Sequence, residues 1–354
     1  MGKRFSLAIA FAILLASPAL WAQQQKALEV YFIDVEGGQS TLFVSPSGQS
    51  LLIDTGWAGG RDAGRIAGMA KLAGVSQIDF LVLTHYHADH AGGIAELAGL
   101  IPIKNFVDHG PSAEETRNVP QNYAAYLTVR GKGQHILAKP GDKLPVQGLD
   151  VQVISAAAET ITKPLPGAGA ANPLCADFMP KDENLDPLVG GENKQSVGVV
   201  ISLGKFRLGD FGDLTWNKEH DLACPKNLIG TLDVYVVSHH GQDISSLPIL
   251  VHAERPRVAV MDNGAKKGGA VATFETLKKS PGLEDLWQLH YAVDAEDHNM
   301  PEKFIANLGT GGTAATGVPD EGKANYIQLT ARPDGSFTVK NSRNGYQKDY
   351  PPKR

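Results

Sequence analysis

The stretch His85-Tyr86-His87-Ala88-Asp89-His90 packs three imidazoles and a carboxylate into one short segment. Imidazole is the commonest protein ligand for divalent transition metals, and a carboxylate adds charge neutralisation. On a tight loop, His85 and His87 can face one point while Asp89 and His90 face a second point nearby. Such a spacing suits metal-assisted hydrolysis, in which bound cations acidify water and stabilise an oxyanion. A solvated loop that is merely rich in histidine is the competing reading, and the flanking sequence argues against it. Ile78-Asp79-Phe80-Leu81-Val82-Leu83 is an apolar, β-branched run that predicts a buried strand. Gly92-Gly93 and then Ile94-Ala95-Glu96-Leu97-Ala98 follow as a helical opening, so the cluster is expected on a loop between strand and helix.

A chain of 354 residues, 42% of them apolar, can bury one large core or two average ones. Its formal charge of −5 carries no strong nucleic-acid signature, because holding phosphates by general electrostatics needs clustered lysine and arginine. A small phosphodiester, whose charge a metal would meet, stays compatible with that balance. Lys3 and Arg4, the apolar run from Phe5 to Leu15 and the small residues up to Ala22 read as a signal peptide over 1–22. A membrane anchor is the alternative, but the run is shorter than the roughly 20 residues a span needs. No second apolar run is long enough to cross a bilayer, so the mature chain, 23–354, is expected to be exported, periplasmic or secreted. In an oxidising compartment Cys175 and Cys224, the only cysteines, are expected to bridge, with two buried thiols as the alternative.

Positioning elements can be read along the chain. Strands are predicted from Leu28 to Val35, Thr41 to Val44 and Ser50 to Gly56, joined by Gly37-Gly38 and Pro46-Ser47-Gly48 as an antiparallel meander. A helix follows from Arg61 to Leu72, ended by Gly74, and another is expected in part over 112–130. An irregular insertion at about 155–191 reads as a functional rim, held in place if Cys175 is tethered to Cys224. A hairpin from Val197 to Leu208 leads to Gly209-Asp210-Phe211-Gly212-Asp213-Leu214, and a buried strand from Leu232 delivers His239-His240-Gly241. A closing hairpin at about 326–341 completes one domain spanning 23–354.

Thr84-His85-Tyr86-His87-Ala88-Asp89-His90 resembles the signature of the metallo-β-lactamase superfamily of metal-dependent hydrolases. That resemblance implies an α+β, four-layer αββα fold, two packed mixed β-sheets with outer helices and metals at one edge. Asp34-Val35 and Leu52-Ile53-Asp54-Thr55-Gly56 are similar to the branch containing the extracellular hydrolase domain of DNA-uptake channel proteins. Between them stands Glu36-Gly37-Gly38-Gln39-Ser40, a departure that removes an acidic residue near the site. Gly212-Asp213-Leu214 matches the place from which the superfamily bridges two metals, with Asp210 as the alternative, and His239-His240-Gly241 matches a motif that closes the second metal site.

The resemblance implies two divalent metal ions, zinc by default with manganese as the alternative. His85 and His87 are expected to hold one, Asp89, His90 and one of His239 or His240 the other, with Asp213 between them. Asp89, His239 and His240 are also the expected catalytic groups. Where many members carry a further histidine this chain has the region of Asn193, which implies an open position on the first metal. Asp54 is read as orienting a ligand, and His109, His290 and His298 as structural residues that could border the site. The expected function is an exported hydrolase whose metal-activated hydroxide attacks phosphoester or phosphodiester bonds of a small-molecule or cell-envelope substrate. A β-lactamase or other amide or ester hydrolase is the first alternative, and a non-catalytic secreted metal-binding recognition protein the second.

Overall fold

The computed structural model describes residues 27–116, 118–180, 191–309 and 324–353. The expected signal peptide and residues 181–190 of the insertion lie outside the described residues. β1 (Leu28–Phe32), β2 (Thr41–Val44) and β3 (Ser50–Ile53) pair antiparallel, as their spacing predicts. α1 (Arg61–Leu72) then crosses to β4 (Ile78–Val82), which lies parallel to β3. The short α2 (Ala88–Ala91) and α3 (Ile94–Leu100) lead to β5 (Ile103–Asp108), and α4 (Val119–Arg130) leads to β6 (Gln134–Leu137). Helix α4 starts later than 112 because Pro120, with its fixed φ and missing N–H, belongs in a first turn.

A second sheet begins with β7 (Lys143–Leu144), β8 (Asp150–Ala156), the short β9 (Glu159–Thr160) and the hairpin β10 (Gly198–Leu203) with β11 (Phe206–Asp210). From β11 onward helices alternate with parallel strands: α5 (Trp216–Ala223), β12 (Val234–Val236), α6 (Pro248–Glu254) and β13 (Val258–Met261). The pattern continues through α7 (Val271–Lys278), β14 (Asp285–His290) and β15 (Ile305–Asn307). The chain returns to β1 through β16 (Ile327–Ala331) and β17 (Phe337–Asn341), the expected hairpin, and adds β18 (Gln347–Tyr350) at the edge. That last strand, Gln-Lys-Asp-Tyr, buries only Tyr350 fully and so lacks the apolar alternation that marks a strand in sequence.

The period of two along each strand builds the layers. Val30 and Phe32 enter the core between the sheets with Val234 and Val236, while Tyr31 and Ile33 face α1, α3 and α4. Tyr235 and Val237 pack on the other outer face, with residues of α5, α6 and α7. Each fully buried aliphatic or aromatic side chain contributes about 1.5–3 kcal/mol, and the result is an α+β, αββα sandwich. The parallel halves, β3 to β6 and β11 to β15, are the parts that matter for the site, because ligands collect where parallel strands end. Cys175 and Cys224 form a disulfide with Cα atoms 5.7 Å apart, which ties the insertion to the end of α5. Among the described residues no helix is long and apolar enough to cross a membrane.

Candidate metal centre

Asp54 organises the loop that leaves β4. At φ 60° it turns out of β3 with its carboxylate fully buried. Thr84 donates to it twice, from its N–H at 2.8 Å and from its hydroxyl at 2.7 Å, and His90 donates from Nδ1 at 2.7 Å. The backbone is held as well: Thr55 N–H reaches the His90 carbonyl at 2.7 Å, and Leu83 N–H reaches Val107. These bonds fix tautomers. With Nδ1–H given to Asp54, His90 presents a bare Nε2. The Thr84 hydroxyl, having donated to Asp54, accepts from Nδ1 of His85 at 3.1 Å, which leaves His85 Nε2 bare. His87 gives Nε2–H to Glu114 at 3.1 Å and presents Nδ1.

The opposite wall comes from the second sheet. β11 ends at Asp210, and Gly212 at φ 55° turns the chain so closely over Thr84 that a Cβ there would lie 2.8 Å from the Thr84 Cβ. This turn delivers Asp213. β12 ends just before Ser238, and His239 (φ 56°, ψ 38°) and His240 (φ 55°, ψ 16°) are consecutive left-handed residues. Left-handed backbone at a side-chain-bearing residue costs about 1–3 kcal/mol, and such strain gathers at functional sites. Here it sends the two rings to different places.

Asp89 Oδ2, His90 Nε2, Asp213 Oδ1 and His240 Nε2 all lie within 4.8 Å of one another and are buried. His90 Nε2 is 3.2 Å from His240 Nε2 and 3.2 Å from Asp213 Oδ1, while Asp89 Oδ2 is 3.1 Å from His240 Nε2. On the other side of the same carboxylate, Asp213 Oδ2 lies 3.2 Å from His239 Nε2 and 3.8 Å from His85 Nε2, and His85 Nε2 faces His87 Nδ1 at 3.0 Å. Bare nitrogens and carboxylate oxygens at these distances repel unless a cation lies among them. Asp213 Oδ1 is also buried with no hydrogen-bond partner. The donor set therefore fits divalent metal binding on both sides of Asp213.

The local field points the same way. Burial opposes charge on His90, yet Asp213, Asp89 and Asp54 draw positive charge to its ring and carry it well above the usual imidazole range, so without a cation the ring holds a proton that a metal would displace. Burial likewise opposes ionisation of Asp213, but His239, His90 and His240 hold it well below the usual carboxylate range. Burial pushes His239 down to about 4, the neutral form that a metal ligand needs.

All seven side chains expected at the site, His85, His87, Asp89, His90, Asp213, His239 and His240, thus meet at one edge. Asp210 does not. Gln39 donates to both its oxygens at 2.7 and 2.8 Å, and burial with Asp262 and Asp54 nearby raises it to about 7. His109 stays out of the cluster: its Nε2 pairs with Glu192 at 3.0 Å, and Glu192 in turn accepts from Tyr86 N–H. His290 is spent on Asp34 at 2.6 Å, and His298 lies against α7 beside Glu275.

Several supporting residues carry no mark in the sequence, among them Glu114 behind His87 and Lys267 beside Asp89. Asp262, 3.5 Å from His240 Nδ1, did leave one: like Asp213, it is an acid just past a buried strand, Val258–Met261. The cleft over the site measures about 320 Å³ and is bordered by Trp57, Asn118, Asn193 and Gln242. A larger hollow of about 720 Å³ opens along Thr160–Pro166 and contains none of the converged side chains.

The chain is 26% identical over 239 residues to recombination protein 2 of Haemophilus influenzae, covering 67% of this chain and 24% of that one. It is 35% identical over 77 residues to an atrochrysone carboxyl ACP thioesterase of Cryptosporiopsis sp., covering 21% of this chain and 24% of that one. It spans about a quarter of the length of either curated relative. Among solved structures it is similar to the metallo-beta-lactamase fold protein YhfI of Bacillus subtilis, with TM-score 0.44, 14% identity, 74% of this chain and 96% of that one covered. The sequence model of the metallo-beta-lactamase superfamily matches residues 33–170, the span that holds Asp54 and the whole histidine loop. That stretch is similar to the metallo-beta-lactamase superfamily, and the parallel strand ends of the αββα sandwich carry the rest of the cluster.

Proposed function

We propose that this protein is an exported dinuclear metal-dependent hydrolase acting on phosphoester bonds, phosphodiesters foremost. The observation that carries the reading is the division of Asp213, whose two oxygens face two separate sets of nitrogens. His85, His87 and His239 with Oδ2 would hold one cation, and Asp89, His90 and His240 with Oδ1 the other. Imidazole with carboxylate suits zinc first and manganese second. Divalent cations held there supply Lewis acidity and a water acidified towards neutral pH.

The chain's own part is orientation. Asp54 and Glu114 accept from His90 and His87, so that each of these two rings turns one fixed nitrogen inward, and Asp262 stands 3.5 Å from His240 Nδ1. Trp57, Asn118 and Gln242 border the cleft and limit how a substrate enters. The disulfide supports export, since such bonds persist in oxidising compartments. The phosphoester assignment rests on the Gly-Asp-Leu and His-His-Gly motifs and on the likeness to a protein named for recombination.

One observation favours a second reading. His239 stands where it can give the first set a third imidazole, which offsets the missing histidine near Asn193 and keeps β-lactam hydrolysis in view. The test is metal analysis with a panel of phosphodiester, phosphomonoester, thioester and chromogenic β-lactam. Metal-dependent turnover led by the phosphodiester is expected; turnover led by the β-lactam selects the second reading. A metal-loaded protein that turns over none of them refutes the enzymatic assignment and leaves a metal-binding recognition protein.

A further inference from the structure

Lys267 lies on the loop between β13 and α7, and the backbone of that loop is seated on the His239–His240 turn. Gly269 N–H donates to the His240 carbonyl at 2.9 Å and Ala270 N–H to Gly241 at 2.8 Å. A Cβ on Gly268, at φ 75°, would lie 2.0 Å from the same His240 oxygen, so the contact is as close as backbone allows. From this seat the Lys267 side chain crosses to the other sheet. Its ammonium donates to the Gly37 carbonyl at 2.6 Å, lies 5.1 Å from the Trp57 ring centroid and forms an ion pair with Asp89. The side chain is 30% exposed, and Lys267 is the one lysine or arginine among the described residues bordering the cleft.

A solvated lysine does not give up its rotamer freedom to three separate contacts. Nor does Asp89 need an ammonium for charge balance once it belongs to a metal set. In the dinuclear reading two carboxylates, Asp89 and Asp213, face two divalent cations, and Lys267 adds a further positive charge at the mouth. Apart from Asp89 and Asp213, no acid among the described residues borders the cleft to take up that surplus. We propose that Lys267 is a specificity residue that binds an anionic oxygen on or beside the scissile bond, selecting phosphoesters over neutral esters. Lysine does this as a point charge, without the fixed geometry of an arginine fork. The proposal rests on the reading of the site as a metal-dependent hydrolase.

The test compares K267Q, K267R and K266Q, the last altering an exposed neighbour of equal charge, all in the metal-loaded full chain. The readouts are metal content, calorimetric affinity for inorganic phosphate, and kcat and KM for an aryl phosphodiester and a neutral aryl acetate. K267Q is expected to keep its metals, weaken phosphate binding about tenfold, which is 1.4 kcal/mol, and lower the phosphodiester-to-acetate ratio of kcat/KM through KM. K267R recovers most of both, and K266Q behaves as the parent. Parent-like phosphate binding by K267Q overturns the proposal, as does equal weakening in K266Q or a parent protein that binds no phosphate with its metals in place. Loss of metal in K267Q overturns it too, because Lys267 would then be positioning Asp89. If K267Q alone loses phosphate yet the parent cleaves no phosphodiester, the anion site stands and the hydrolase reading falls.

Discussion

The two sheets supply the site in different ways. After β4, the single segment Thr84–His90 carries four of the inward-facing donors and is clamped by one buried carboxylate, Asp54. The second sheet spreads its share over the ends of β11, β12 and β13, as Asp213, His239–His240 and Asp262, and holds two of them on left-handed backbone. The first region is local in sequence and rigid through hydrogen bonds. The second exists only because β11, β12 and β13 are parallel, with Leu208 beside Val234 and Val234 beside Val258. A metal site of this kind therefore has a motif for one wall and strand registry for the other.

Asp213 joins the walls, so changing it should have the largest effect. D213N is expected to lose both cations by elemental analysis and to lower kcat by about 10²–10³-fold or more, whereas D210N keeps them, since Asp210 is held by Gln39. Equal loss in D210N would erase the distinction between the two aspartates. Next come the single walls. H87A and H240A should each lower metal content by one per chain, from opposite sides of Asp213, and loss of both in either variant would mean the two sets act as one.

Removing the clamp is a smaller change. D54N keeps a side chain that tolerates left-handed backbone but drops the charge behind His90, and a loss of about 10–100-fold in metal affinity is expected by titration. G212A forces a Cβ against Thr84 at positive φ and should lower stability by about 1–3 kcal/mol in thermal or denaturant unfolding.

A separate effect is a pH dependence confined to the second region. Glu219 accepts N–H groups of Ser246 and Leu247, just past the His239–His240 turn, and burial raises its carboxyl from 4.5 to about 8. Between those values the native chain keeps a proton that the unfolded chain has released. The stability it contributes is whole below 4.5 and is lost as pH rises through about 8. E219Q should flatten that decline in unfolding measured from pH 5 to 9. An unchanged slope would show that Glu219 is not its source.

Legibility followed the same division. The meander, α1 over Arg61–Leu72, β4 with its histidines and the closing hairpin were readable because spacing of two or of three to four residues reports directly on burial. β18 was not, since an edge strand needs backbone bonds more than apolar side chains. Glu114 and Lys267 were not, because a residue on an irregular loop gives no periodic sign of what it will touch. Gly-Asp-Leu favours Asp213 over Asp210, and the packing of Gln39 against Asp210 is what separates the two acids.

By itself the order of residues determined most of the elements and which side chains are able to bind metal, because each depends on neighbours a few positions apart. Which nitrogen of each ring faces inward, how His239 and His240 divide between the two oxygens of Asp213, and that an ammonium stands at the mouth were decided by tertiary structure. The physical reason is that these depend on hydrogen-bond partners and electrostatic neighbours as far apart as Asp89 and Lys267, which only the packing of two sheets brings together.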